Sequence, residues 1–231
     1  MDKKQLSDII EVILDPMHGK ELYNRQNLNT LLNKIDFIAL NMHIDQGLSQ
    51  EEIVRKINDY VKQNVTFRRN YLDKFYGVVD KFDKKEFIYR TAYAALIKNE
   101  AVCSGYTEAI RILLAYYGIK SKTIIAKIPR RLHEASCHYL TAVFLDNGII
   151  KLLDPERQQY CEKKNFDFQE YLEKLEFAIP NEICWKNKLI NDGTGMFASE
   201  YLNLTGVRKA KGTIEIKRLL KTEQKDREIG D

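Results

Sequence analysis

The stretch from Ala109 to Leu153 limits the possible fold more than any other part of this sequence. Ala109, Ile110, Leu113, Leu114 and Tyr117 recur at the spacing of one buried helical face, and Gly118 is placed to stop that helix. Extended runs follow directly: Thr123-Ile124-Ile125-Ala126, then His138 to Leu145, then Ile149 to Leu153. Between the last two lies Asp146-Asn147-Gly148, which has the composition of a hairpin turn. One helix followed by a cluster of at least three strands predicts an α+β fold rather than alternating βαβ units.

Upstream, the pattern is helical. Leu31, Leu32, Ile35, Ile38 and Met42 predict a helix from Leu28 to Met42 with one buried face. Ser49 before Glu51 and Glu52 predicts an N-cap, opening a helix that would bury Ile53, Ile57, Tyr60 and Val61. Phe87 to Ile97 reads as helical again. Beyond the strands, a short helix is expected over Asp167 to Phe177, then a turn at Asn191-Asp192-Gly193-Thr194-Gly195.

The 231 residues suit one domain with an extension. The expected organisation is an N-terminal helical region over 1–85 in the same compact unit, a core over 86–200, and a basic tail over 201–231 read as partly disordered. Lys and Arg number 37 against 33 Asp and Glu, a surplus of +4 too small to argue for a nucleic-acid or membrane-surface partner. The last 25 residues hold eight basic and five acidic residues, so the rest of the chain is close to neutral. No secretory signal pattern and no apolar run of membrane-spanning length is visible, which predicts a cytoplasmic protein. Cys103, Cys137, Cys161 and Cys184 form no C-x-x-C pair, and reduced thiols are expected.

Cys103, His138 and Asp154 stand out: one opens a helix, one lies near the start of a strand, and one follows the next strand. A thiol at a helix N-terminus meets unpaired N–H groups and a dipole that favour an anion, and those N–H groups could also hold an oxyanion. The hairpin decides whether the other two can meet. A two-residue turn pairs positions summing to 295 and sends Asp154 to the face opposite His138. A three-residue loop pairs positions summing to 294 and puts Asp154 opposite Leu140, one diagonal from His138 on the same face. Diagonal neighbours are about 7–8 Å apart, within reach of an imidazole and a carboxylate. A Cys-His-Asp triad therefore requires the three-residue loop.

With Ala92-Tyr93-x-Ala95-Leu96, Ala101-Val102-Cys103-x-Gly105-Tyr106, Leu113-Leu114, Gly118-Ile119, His138 and Leu152-Leu153-Asp154-Pro155, the sequence resembles the transglutaminase-like superfamily over roughly residues 50 to 156. Ile57-Asn58-Asp59-Tyr60-Val61 and Asn64-Val65-Thr66-Phe67 match the lead-in. The resemblance implies a papain-like core, with the nucleophile helix packed on a small antiparallel sheet, and makes residues 86–200 the catalytic core. It also implies Cys103 as nucleophile, His138 as general base and acid, and Asp154 as the residue that orients the imidazole. The sequence departs from the family around the histidine: Leu140 stands where a Trp is usual, and Ile150-Lys151 replaces a Trp-Tyr pair before the aspartate.

The resulting expectation is a thiol-dependent enzyme that cleaves amide bonds of a peptide or protein through a thioester. A peptidase or amidase is preferred, because no calcium-ligand loop of the kind that gates cross-linking enzymes is visible. A transglutaminase and a non-catalytic binding module of the same fold are the alternatives. No nucleotide cofactor is expected, and no metal: His133, Cys137 and His138 lack helical patterning and a fourth ligand. Cys137 reads as core, His18 and His43 as surface or capping residues, and Trp185 as packing. Arg130 and Arg131 read as a solvated loop, with contact to an acidic substrate the alternative. The sequence gives no assembly state.

Overall fold

The computed structural model describes residues 25–44, 47–69, 84–128, 136–173, 176–177, 184–185, 188–189, 209–210 and 213–215. In chain order these form α1 (Arg25–Asn41), α2 (Gln50–Asn64), β1 (Thr66–Phe67), a 3₁₀ segment (Lys84–Arg90), a π-helical turn (Ala94–Lys98) and β2 (Glu100–Ala101). Then come α3 (Cys103–Tyr116), β3 (Lys120–Ile128), β4 (Ser136–Phe144), β5 (Ile149–Leu153), α4 (Pro155–Lys164) and α5 (Phe168–Glu173). Five short strands follow: β6 (Glu176–Phe177), β7 (Cys184–Trp185), β8 (Lys188–Leu189), β9 (Lys209–Ala210) and β10 (Thr213–Glu215). The fold is α+β. Among the described residues no helix is long and apolar enough to cross a membrane.

The main sheet has six strands in the order β6-β3-β4-β5-β10-β9, with every neighbouring pair antiparallel. Leu31, Ile35 and Ile38 of α1, Ile57 and Val61 of α2, and Ile110 and Leu113 of α3 are buried in one cluster that reaches Val143 and Leu153 of the sheet and Leu145 just beyond β4. Apolar side chains at helical spacing thus form the face of each helix that leaves water. Ser49 caps α2 with a reciprocal box: its hydroxyl accepts from the Glu52 amide, and its own amide donates to the Glu52 carboxylate at 2.9 Å.

The hairpin register fixes the site. Thr141 pairs with Leu153 and Phe144 with Ile150, so paired positions sum to 294. Leu145 N–H donates to Ile149 O at 2.9 Å, leaving Asp146-Asn147-Gly148 as a three-residue loop. Gly148 closes it at φ +81°, a conformation that β-carbon sterics deny to most residues.

Two expectations are corrected. Residues 87–97 do not form one helix. The Thr91 hydroxyl donates to Ile88 O at 2.6 Å, and a Glu108 carboxylate oxygen accepts from Ala92 N–H at 2.9 Å. Side chains thereby take backbone groups that a continuous helix would use, and 3₁₀ and π turns result. Asp167 caps α5 through bonds from the Gln169 and Glu170 amides, but the helix stops at Glu173. Glu176 and Phe177 instead add a strand to the edge of β3. Among the described residues of 201–231, Thr213–Glu215 pairs with β5 and Lys209–Ala210 with β10. His18, Arg130, Arg131, His133 and the turn at 191–195 lie outside the described residues. The side chains of Cys137 and Trp185 do so too.

Candidate active site

Cys103 is the first residue of α3, following Val102, which caps the helix in extended conformation. Its thiol is free and partly exposed. The approach of this turn to the 3₁₀ segment is close: Val102 N–H donates to Tyr89 O at 2.9 Å. Gly105 permits that approach, since a Cβ there would stand 2.8 Å from Tyr89 O and 3.0 Å from Thr91 O.

His138 is the third residue of β4 and almost fully buried. Asp154 follows β5 directly and is likewise buried. His138 Nε2 and Asp154 Oδ2 are 2.6 Å apart, the contact that the three-residue loop allows. The other Asp154 oxygen accepts from Arg157 N–H at 3.1 Å, capping α4, whose first residue is Pro155. One carboxylate therefore both starts a helix and holds an imidazole. Tyr171 adds a longer bond, its hydroxyl donating to Asp154 Oδ2 at 3.3 Å. Tyr171→Phe is expected to lower stability by about 0.5–1 kcal/mol, read as a shift in the urea midpoint.

The Cys103 thiol lies near enough to the His138 imidazole to help raise its pKa. With Nε2 on Asp154, Nδ1 is the nitrogen left for it. The structure thus joins His138 directly to Asp154, with Cys103 close enough to influence the imidazole. Burial pulls the imidazole toward its neutral form. The Asp154 carboxylate outweighs it by charge and by hydrogen bond, and Cys103 adds to the effect, raising His138 from the ordinary 6.5 to about 10. Because the folded value lies above the unfolded one, the stabilisation is complete below pH 6.5 and disappears as pH rises through about 10. Asp154, Glu156 and Cys103 face this imidazole, with Arg157 and Tyr171 behind them. Urea midpoints are expected to fall between pH 6.5 and 10, and to fall less in His138→Gln. An equal fall in both proteins would contradict the assignment.

The sequence reading missed Glu156, Arg157 and Tyr171. Glu156 is buried, with Oε2 3.8 Å from His138 Nδ1 and 3.3 Å from Arg157 Nε. Burial raises its carboxyl above the usual range despite the opposing cations of Arg157 and His138. Asp-Pro-Glu-Arg is a helix-start pattern that could have flagged the first two. Ligand atoms of His138, Asp154 and Glu156 lie within 4.8 Å of one another, a grouping able to hold a metal ion.

The helical region before the core supports this site. Asn58 Nδ2 of α2 donates to Gln158 Oε1 of α4 at 2.7 Å, and Lys62 pairs with Glu162 at 2.7 Å. Gln159 Nε2 donates to the carbonyls of Lys62 and Val65, and the buried Tyr106 hydroxyl also donates to Val65 O at 2.7 Å. The helix that begins at Asp154 is thereby fastened to α2 and α3.

No family model matches the chain, and no curated protein sequence matches it. Among solved structures it is similar to a TGase at 14% identity and a TM-score of 0.47, over 58% of this chain and 33% of that one. It is also similar to a candidate cysteine protease from Cytophaga hutchinsonii at 13% identity and a TM-score of 0.39, over 65% of this chain and 42% of that one. The chain thus spans less than half the length of either structure.

Proposed function

We propose that this chain is a thiol-dependent acyl-transfer enzyme acting on amide bonds of a peptide or protein, with water as the usual acceptor. That makes it a cysteine peptidase or amidase. The observation that carries this reading is the buried 2.6 Å bond between His138 and Asp154, with a free thiol at a helix N-terminus near the imidazole. Cys103 Sγ attacks the carbonyl carbon, and the carbonyl oxygen becomes an oxyanion facing first-turn N–H groups that a helix leaves without internal acceptors. The His138 imidazolium protonates the leaving nitrogen, the C–N bond breaks, and a thioester remains. The neutral imidazole then takes a proton from water, the hydroxide attacks the thioester, and the C–S bond breaks. A primary amine in place of water gives a new amide, which is the transglutaminase reaction.

The test supplies peptides, including a glutamine-containing one, with a labelled primary amine. Hydrolysis that is lost in Cys103→Ala is the expected result. Amine incorporation exceeding hydrolysis would assign a transglutaminase. A Cys103 thiol that reacts with iodoacetamide equally fast in wild type and His138→Ala, with no turnover of any peptide, would leave a binding module.

A further inference from the structure

We infer that Arg157 is a positioning residue whose guanidinium holds the Glu156 carboxylate off His138 Nδ1. Two buried carboxylates flank the imidazole, one toward each nitrogen. Asp154 Oδ2 is bonded to Nε2 at 2.6 Å. Glu156 Oε2 stands 3.8 Å from Nδ1, beyond hydrogen-bond length, and makes no hydrogen bond among the described residues. Its nearer partner is the buried Nε of Arg157 at 3.3 Å, an ion pair.

Arg157 thus reaches both carboxylates. Its backbone N–H donates to Asp154 Oδ1 at 3.1 Å, and its side chain pairs with Glu156. The guanidinium also lies over the half-exposed Tyr160 ring, 5.6 Å from the centroid, which helps to fix the cation.

His138 is 3% exposed and Glu156 6%, so solvent screens their attraction little. Left without its cation, Glu156 would move about 1 Å to bond Nδ1 at the usual length of a charge-assisted contact. An imidazolium bonded to a carboxylate on each nitrogen has no open side and gives up its proton reluctantly. Arg157 prevents that by offering Glu156 a second charge. The effect on rate rests on the proposed acyl transfer; the positioning does not.

The test compares wild type, Arg157→Gln and the double variant Glu156→Gln/Arg157→Gln. Two readouts are taken: proton NMR of the His138 ring N–H groups, and turnover of a peptide that the wild type hydrolyses. In the wild type one carboxylate-bonded ring proton is expected, on Nε2. Arg157→Gln should show a second, on Nδ1, with turnover lower by about 10²-fold, the lower end of what positioned proton transfer contributes. The double variant lacks the competing carboxylate, so that second signal should vanish and turnover should return to within about tenfold of wild type. A pair that only held the fold together would leave the ring protons unchanged and give no rescue. Should Arg157→Gln fail to fold, Glu156→Gln decides: its ring-proton spectrum should match the wild type, because Arg157 already keeps that carboxylate off Nδ1. A lone Nε2 signal in folded Arg157→Gln, or loss of an Nδ1 signal in Glu156→Gln, overturns the positioning role. The expected signals in a protein that turns over no peptide would support the positioning and remove the enzyme reading instead.

Discussion

Asp154→Asn is expected to leave the chain folded and to lower turnover on the order of 10⁴-fold. Asparagine caps helices about as well as aspartate, so the bond from Arg157 N–H to the side-chain oxygen persists. The amide nitrogen then replaces Oδ2 opposite His138 Nε2. Since it donates, Nε2 must accept, and the ring proton moves to Nδ1. Nδ1 can then no longer take the proton of Cys103. Asp154→Ala makes the contrast. It removes the cap, worth about 1 kcal/mol, and strips a buried imidazole of its partner, a loss of about 3–5 kcal/mol. Thermal unfolding followed beside turnover separates the two duties. Turnover within tenfold of wild type in Asp154→Asn would remove the orienting role.

Gly105→Ala is the second substitution with a large expected effect. The new methyl would meet Tyr89 O at 2.8 Å, Thr91 O at 3.0 Å and the Ala101 Cβ at 2.9 Å. Two of these atoms are backbone, and Tyr89 O is held by its bond from Val102 N–H. Neither can retreat cheaply, so α3 must shift away from the 3₁₀ segment. Overpacking of this kind costs about 1–3 kcal/mol, which corresponds to a Tm lower by about 2–12 °C for a chain of this size. The same shift carries Cys103 away from His138, so turnover should fall by more than the loss of folded protein explains. A variant with wild-type Tm and rate would show that the contact relaxes freely.

How much was legible in the sequence follows from what each element depends on. The α3 stripe and the hairpin were readable because apolar spacing and turn chemistry are local. The hairpin arithmetic went further, from loop length to which face Asp154 takes. Helix α4 was not found, since its sequence is too polar to show a stripe. Its signals were at the ends: an aspartate cap, proline at the first position, two lysines in the last turn and Asn165 in left-handed conformation. Glu156, the buried carboxylate beside His138, lies in that helix. Residues 87–97 do not run as one helix because Glu108, sixteen positions beyond Ala92, takes a backbone N–H there. Strands β6 and β10 exist by pairing with distant edges, which no local pattern reports.

Val65 O accepts from Tyr106, 41 residues away, and from Gln159, 94 residues away. Closing such loops costs chain entropy before any contact repays it, and topologies rich in distant contacts fold slowly. Both closures join α2 to the elements that carry Cys103 and Asp154. A chain emerging during synthesis therefore holds Cys103, the proposed nucleophile, well before Asp154 can join the site. On the proposed reading, the thiol gains its partners only once the segments around Val65 and Gln159 have met.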